Sequence, residues 1–284
     1  MKVCVIGLGQ MGGNMALTLQ KSGFNVVGSD VSDQARKRMQ KKGVTVVEPE
    51  QIPQANIYLL SLPTSTHVEE VVFSKPGLLR LAPKGSIIAD TSTSDPESSK
   101  KLASQILDAG LQWLDAPVSG GPQGAATGTL GMLLGGSKQT IKQAQPVINA
   151  LAAKHTHVGG PGAGHIVKLA NNFLCAAHLV STAQAVAMAK NLGVSPEDCL
   201  AGINSGSGRS AVSEVNFPKW VLSQSFDSGF TMGLMRKDLN LAYQASKKAN
   251  IQQGVLDAVL RAWQDESSSI DNAQDFNCIV KNFL

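Results

Sequence analysis

Cysteines are few and the net charge is small in this 284-residue sequence, and each shortage excludes a class of protein. The net charge of +4 is spread over short clusters, so the concentrated basic stripe of a nucleic-acid-binding protein is missing. The four cysteines have no spacing typical of disulfides or metal ligands, and we expect reduced, buried thiols, as in a cytoplasmic protein. They are Cys4, Cys175, Cys199 and Cys278.

Clustered metal ligands are also missing from the sequence. His155 and His157 alternate along a predicted strand, with no carboxylate or cysteine cluster beside them, so we expect no metal site. A leader segment is not expected either, because the first strand begins at Lys2. We therefore expect a cytoplasmic protein, or a mature form whose leader has been removed.

One long run of the sequence lacks charged residues and resembles a membrane-spanning segment more than any other run does. Residues 169–189 contain no Asp, Glu, Lys or Arg, but they include six polar side chains among many alanines. Because this is too polar for a lipid-facing segment, a helix buried in protein is favoured. The predicted helix, from about His165 to Leu192, is about 42 Å long and would bridge two parts of the chain. Its all-round apolarity predicts a dimer.

Strand and helix patterns alternate in the first part of the chain. This alternation predicts a mostly parallel, doubly wound Rossmann-type α/β domain over residues 1–163, with its ligand at the C-terminal ends of the strands. Convincing strand patterns then stop, which predicts an all-helical domain over residues 164–284. The strand runs are VCVIG, NVVGSD, IYLLSLP, SIIADTS, QWLDAPVS and GMLLGG.

The segment VCVIGLGQMGGNMA places three glycines directly after a strand and at the start of a helix. Gly7 permits a tight turn, Gly9 lets the backbone approach a pyrophosphate, and Gly12 lets the helix pack on the strand. The helix N-terminus offers free N–H groups to the phosphates. Alone the pattern is weak, but this context favours a dinucleotide site. Its predicted contacts are Gly7, Leu8, Gly9, Gln10, Met11 and Gly12.

Asp30 ends the second strand about twenty residues further on. An acid there accepts hydrogen bonds from the adenosine ribose and repels a 2′-phosphate, so NAD is favoured over NADP. Two observations weaken this preference. Arg36 and Lys37 lie nearby, and Asp30 can instead cap the following helix.

Three further segments follow predicted strands. Leu62 and Pro63 can pack on the dinucleotide, and Thr93 can bond to nicotinamide or substrate, although both stretches also read as ordinary turn and cap signals. The loop DAPVSGGPQGAATGTLGM can turn backbone N–H groups toward a substrate carboxylate, or can be a flexible connection. Its candidate residues are Ser119, Gly120 and Gly121.

Lys168 begins the apolar helix and is the strongest candidate for chemistry. Asn171 and Asn172 follow at positions i+3 and i+4, so all three can line one side of the helix. A lysine amine whose pKa is lowered by burial or by a positive neighbour can take the hydroxyl proton as hydride leaves carbon. The alternative is a lysine that extends into solvent from the first turn of the helix. Residue chemistry leaves the two alternatives close.

Four motifs in order resemble the β-hydroxyacid dehydrogenases, a family that includes 3-hydroxyisobutyrate dehydrogenases and tartronate semialdehyde reductases. They are GLGQMGGNMA, DAPVSGGPQGAATGTL, GAGHIVKLANN and KDLNLA. The resemblance implies that Lys168 is the catalytic acid/base, that Asn172 orients the substrate, and that the Ser119 loop holds the substrate carboxylate. It also implies that Lys237 reaches cofactor and substrate and that Asp238 steadies that region, a pair that otherwise reads as a surface pair.

The resemblance further implies an NAD-dependent enzyme that interconverts a small β-hydroxyacid and its semialdehyde, and a homodimer or homotetramer. A reductase of the same family that acts on tartronate semialdehyde, succinate semialdehyde or sulfolactaldehyde is an alternative. So is a non-catalytic dinucleotide-binding module, although the retained Lys168, Asn172 and Ser119 argue against it. In the segment NSGSGRS, Arg209 binds a second anionic group of the substrate or has a structural role at a helix end.

Overall fold

The computed structural model describes residues 1–75, 77–265 and 269–284. Two compact units are present, Met1–Lys168 and Leu169–Leu284. The division between them falls after Lys168, inside a long helix, whereas the composition placed it after residue 163.

The first unit is built on a mostly parallel sheet, as predicted. Its spatial order is β3-β2-β1-β4-β5-β6-β8-β7, and β9 pairs with β8. Because β2 lies on one side of β1 and β4 on the other, the chain reverses direction across the sheet there, and ligands bind at such a point. The strands are β1 (Lys2–Ile6), β2 (Asn25–Ser29), β3 (Thr45–Val47), β4 (Ile57–Leu60), β5 (Ile87–Asp90), β6 (Gln112–Asp115), β7 (Val118–Ser119), β8 (Leu130–Gly136) and β9 (Ala152–Gly159).

Apolar runs form the central strands because both faces of the sheet are covered by helices. Along β1, Val3 and Val5 belong to one hydrophobic cluster, whereas Cys4 and Ile6 belong to another on the opposite face. The helices of this unit are α1 (Gln10–Lys21), α2 (Asp33–Lys41), α3 (Ser65–Phe73), α4 (Leu78–Leu81), α5 (Pro96–Asp108), α6 (Gly121–Thr127) and α7 (Lys138–Leu151).

The far side of the sheet departs from the simple parallel pattern. The predicted run QWLDAPVS is not one strand but two, because it breaks at Ala116 and Pro117, and proline cannot donate to a strand ladder. The last strands include antiparallel pairs of β8 with β6 and β7. β9 forms the outer edge beyond β8, and most of its side chains, including Lys154 and His155, are exposed.

The second unit is helical, as predicted. Its core surrounds the buried rings of Phe217, Trp263 and Phe276. The Trp263 indole N–H donates to the carbonyl oxygen of Ala176, which ties the last long helix to the first. The helices are α8 (Ala163–Asn191), which begins in the first unit, α9 (Pro196–Ser205), a π-helix (Val212–Leu222), α10 (Met232–Lys248), α11 (Gly254–Gln264) and a 3₁₀ helix (Phe276–Asn282).

By length and composition, α8 is the one helix of the described residues that can cross a membrane. Core helices of globular proteins have the same length and composition. Within its most apolar 18 residues, 39% are buried inside the chain. The expected burial of this helix in protein is thus met only in part within one chain, and Leu174 and Met188 are exposed.

Candidate active site

The glycine loop between β1 and α1 has the geometry that its three roles require. Gly7 has a φ of +91°, and a Cβ there would lie 2.2 Å from the carbonyl oxygen of Ser61. A Cβ on Gly12 would lie 1.9 Å from the carbonyl oxygen of Gly7, so α1 packs directly on the loop. By contrast, a Cβ on Gly9 would meet no atom within 4 Å. Gly9 therefore borders open space at the amino end of α1, where a phosphate group fits.

Asp30 holds the loop from the end of β2. Its Oδ2 accepts a hydrogen bond from the Leu8 N–H at 2.6 Å, and its Oδ1 accepts one from the Ser32 N–H at 2.8 Å. The residue that caps α2 is Ser32, whose side chain accepts from the Ala35 N–H. An ionised carboxylate accepts about four hydrogen bonds, so Asp30 retains capacity for ribose hydroxyls.

The basic residues near Asp30 are engaged with protein groups. The Arg36 guanidinium donates to the carbonyl oxygen of Asp30 at 2.6 Å and lies 2.8 Å from a carboxylate oxygen of Glu48. Only 11% of its side chain is exposed. Lys37, which is exposed, pairs with Asp33 at 2.7 Å. Arg36 is thus turned toward the protein, and a 2′-phosphate would have to compete with Glu48 for it.

The ends of β4 and β5 are joined to each other. The Leu62 N–H donates to the Ser92 hydroxyl at 2.9 Å. Pro63 is exposed and Thr93 is half-buried, and both lie beyond the C-terminal ends of their strands. The predicted turn and cap signals in these segments are also real, since Thr64 and Asp95 cap α3 and α5.

The loop after β7 has a backbone that only glycine adopts readily. Gly120 has a φ of +115° and Gly121 a φ of +63°, both in the left-handed region. They follow Ser119, the last residue of β7, and lead directly into α6. Ser119 and Gly120 are exposed. The loop is therefore an ordered turn with accessible polar groups.

Lys168 does not extend into solvent. It is 7% exposed, and its Nζ donates to the Ser119 hydroxyl at 2.9 Å. The structure thus brings together two candidates that are 49 positions apart in the sequence. A buried amine in contact with a hydroxyl at a glycine turn can hold a proton, and can exchange it with a bound oxygen group.

Asn172 follows Lys168 by one turn of α8 and is held by a carboxylate of α10. Its amide nitrogen donates to Asp238 Oδ2 at 2.6 Å, and both side chains are buried. A carboxylate only accepts, so the Asn172 amide nitrogen must face Asp238. Its oxygen accepts from the Asn171 amide at 3.1 Å.

Lys237 and Asp238 are not a surface pair. Asp238 is 1% exposed, and its Oδ1 lies 3.1 Å from Lys237 Nζ, whose side chain is 25% exposed. The contact between Asp238 and Asn172 was not predicted. The burial of Asp238 was predictable, because it lies between Met235 and Leu239 on the buried face of an amphipathic helix.

Two carboxylates and a histidine that were not predicted from the sequence as site residues lie buried in the first unit: Asp90, Asp115 and His165. Asp90 and Asp115 end β5 and β6 and are direct partners across the two strands. Burial alone would raise the pKa of Asp90, but His165 and hydrogen bonds from Ser92 and Ser94 outweigh it and hold that pKa below its usual value. The sequence feature that could have identified Asp90 and Asp115 is their position at the C-terminal ends of apolar strands, where ligands bind.

Asp115 responds in the opposite direction. Burial raises its pKa above the usual value, although His165 and the backbone N–H groups of Gly162 and Gly164 act to lower it. Arg209, the candidate for a second anionic group in the segment NSGSGRS, is exposed. Over residues 1–75, 77–265 and 269–284, no group of three or more His, Cys, Asp or Glu side chains can hold a metal ion.

Comparison with known proteins gives a consistent result. Residues 2–159 match the family described as the NAD binding domain of 6-phosphogluconate dehydrogenase. Residues 162–283 match the family described as NAD-binding of NADP-dependent 3-hydroxyisobutyrate dehydrogenase. The two matches together span nearly the whole chain.

Individual relatives are similar over most of their length. A 2-(hydroxymethyl)glutarate dehydrogenase from Eubacterium barkeri is 33% identical, covering 99% of this chain and 94% of the relative. A 2-hydroxy-3-oxopropionate reductase from Escherichia coli is 33% identical, covering 87% of this chain and 85% of the relative. The solved structure of a Mycobacterium tuberculosis 3-hydroxyisobutyrate dehydrogenase with L-serine is 28% identical with a TM-score of 0.91, covering 99% of this chain and 98% of that one.

Proposed function

The chain belongs to the β-hydroxyacid dehydrogenase family of oxidoreductases, and from this membership we propose that it transfers a hydride between NAD and a small β-hydroxyacid or its semialdehyde. The observation that carries the proposal is the buried Lys168 amine on the Ser119 hydroxyl, beside a glycine turn. This arrangement puts a proton carrier next to groups suited to a carboxylate.

The residues divide between cofactor and substrate. The loop from Gly7 to Gly12 would hold the pyrophosphate of NAD, because Gly9 borders open space. Asp30 would accept hydrogen bonds from the ribose hydroxyls, because it retains acceptor capacity. Bound NAD supplies the hydride acceptor or, when reduced, the donor. Leu62, Pro63 and Thr93 are proposed contacts of the cofactor at the ends of β4 and β5.

On the substrate side, Ser119, Gly120 and Gly121 bind the carboxylate. Lys168 removes the proton from the substrate hydroxyl as the carbon loses hydride, and it returns a proton to the carbonyl oxygen in the reverse direction. Asn172, fixed by Asp238, presents its amide oxygen or its second N–H hydrogen to the substrate. Lys237 is a further proposed contact of cofactor and substrate.

A substrate panel tests the function directly. NADH formation or consumption is measured with 3-hydroxyisobutyrate, 2-(hydroxymethyl)glutarate, L-serine, tartronate semialdehyde, succinate semialdehyde and sulfolactaldehyde. Turnover of at least one of them supports the proposal. Binding of NADH without turnover of any would instead support the non-catalytic dinucleotide-binding module.

We expect kcat/KM to be roughly 100-fold higher with NAD than with NADP. This ratio corresponds to about 2.8 kcal/mol, which is within the range for hydrogen bonds to a charged group. The physical reason is that Asp30 repels a 2′-phosphate while Arg36 is held by Glu48. The measurement is steady-state kinetics with both cofactors on wild type and on Asp30→Asn, which should discriminate less. Asp108→Asn, at an exposed acid in the last turn of α5, is the matched control and should discriminate as wild type does. Higher efficiency with NADP in the wild type would overturn the cofactor assignment.

We also propose that the chain forms a dimer through α8. Leu174 and Met188 are 51% and 63% exposed and lie fourteen positions apart, so they share one face of the helix. Sedimentation velocity should give twice the 29.8 kDa of one chain. Leu174→Glu should shift the equilibrium toward monomer, whereas Ile251→Glu, at an exposed residue outside α8, should not. A wild-type monomer would contradict the proposal.

A further inference from the structure

The first turn of α8 is capped by a residue from another element. Asp115, at the end of β6, accepts hydrogen bonds from the Gly162 N–H at 2.8 Å and the Gly164 N–H at 2.6 Å. A carboxylate at this position satisfies N–H groups that a helix leaves unpaired and matches the positive end of its dipole. The fit requires glycine, because a Cβ on Gly135 or Gly164 would lie 2.1 Å or 2.6 Å from Asp115 Oδ2.

His165 lies in the same turn and is fully buried. The Ser94 backbone N–H donates to its Nδ1 at 3.5 Å, so Nδ1 is an acceptor and the ring proton is assigned to Nε2. Nε2 lies 3.4 Å from Asp90 Oδ2, which is longer than a good hydrogen bond, so the ring N–H dipole faces the carboxylate without a short bond to it. Asp90 Oδ2 also accepts from the Ser94 hydroxyl at 2.8 Å.

Two adjacent buried carboxylates need a compensating group. Asp90 and Asp115 are paired across β5 and β6, so their charges repel each other in a region of low dielectric. The imidazole of His165 directs its N–H toward Asp90 and also acts electrostatically on Asp115. We name Asp90, Asp115 and His165 the α8 anchor.

Both partners of the Lys168 contact follow closely after residues of the α8 anchor. Lys168 follows His165 by three positions, so the two residues lie on neighbouring parts of the helix surface. Ser119, which accepts from Lys168, follows Asp115 by four positions after β6. We propose that His165 is a positioning residue which, through the α8 anchor, holds the Lys168 amine at the Ser119 hydroxyl. The inference rests on the proposed function for its catalytic consequence, but the anchoring itself can be measured without turnover.

The experiment compares His165→Leu, which removes both polar atoms, with His165→Gln, which can accept from Ser94 and donate to Asp90. In the leucine variant, amide hydrogen exchange over residues 163–168 should accelerate, and kcat should fall by about 100-fold, the cost of a misplacement near 1 Å. The dissociation constant of NADH should stay within about twofold, and the deuterium isotope effect on kcat should rise as hydride transfer becomes rate-limiting. The glutamine variant should recover most of both losses. His155→Leu, at an exposed histidine of β9, is the matched control.

A second variant covers the case in which His165→Leu does not fold. Asp90→Asn keeps the shape but removes the charge that faces Nε2, and it should lower kcat by roughly tenfold with NADH affinity unchanged. Unchanged exchange and kcat in His165→Leu would overturn the inference, as would a parallel loss of NADH affinity or a glutamine variant no better than leucine. If instead Lys168→Ala retains full turnover, the proposed catalytic role fails while the exchange data still report on the anchor.

Discussion

Replacing Lys168 by alanine is expected to lower kcat by a factor of about 10³, the usual scale of general acid and base catalysis. The dissociation constant of NADH should stay within about twofold, because the glycine loop and Asp30 lie on other elements. Stability should change little, since the variant removes a buried polar amine and leaves a serine hydroxyl that remains accessible to water. Steady-state kinetics and fluorescence titration with NADH measure the two effects separately.

Two companion variants sharpen this test. Lys168→Arg keeps the positive charge but cannot release a proton, so it should be nearly as inactive as alanine if proton transfer is the role. Lys190→Ala removes an exposed lysine from the last turn of the same helix and should behave as wild type. If Lys168→Ala turns over at the wild-type rate, Lys168 has no part in the mechanism.

Substitutions in the glycine loop should separate folding from cofactor binding. Gly12→Ala puts a methyl group 1.9 Å from the backbone oxygen of Gly7, so the loop must move, at a cost of roughly 3 kcal/mol. Both the melting temperature and NADH affinity should fall. Gly9→Ala meets no atom within 4 Å, so the melting temperature should hold while NADH affinity falls at least about tenfold, because the methyl group takes the space of the pyrophosphate.

The paired outcome distinguishes a dinucleotide site from an ordinary glycine turn. Thermal unfolding without cofactor gives the first quantity, and calorimetric titration with NADH gives the second. A Gly9→Ala protein that binds NADH as tightly as wild type does would mean that the phosphates lie elsewhere. Gly202→Ala is the matched control, because Gly202 lies in α9 with a helical backbone and open space for a methyl group. Gly23→Ala would be a poor control, because Gly23 has a φ of +85°.

The local features of the fold were accessible from sequence. The glycine loop, Asp30 and the apolar strands are each encoded within about twenty consecutive residues, so spacing alone predicts them. The break between β6 and β7 was missed, although Pro117 marks it. The helical second part was predicted from the loss of strand patterns, and the structure confirms it.

The polar contacts of the site were less accessible, because they join distant segments. Asn172 and Asp238 are 66 positions apart, and Asp115 reaches Gly162 over 47. Spacing on one helix placed Lys168 near Asn172, but no periodicity shows that Ser119 lies at the amine. That contact decides between a lysine in solvent and a buried one, so the sequence alone left the alternatives close.

The outer strand of the sheet bears on how the protein behaves at high concentration. An unpaired strand edge invites strands from other molecules, and long, flat, apolar edges aggregate most readily. β9 presents Lys154 and histidines there instead, and its pairing with β8 shifts register twice, which bends the edge. A second molecule thus finds neither a flat nor an uncharged template. The β9 edge of the sheet should therefore resist growing into ordered aggregates.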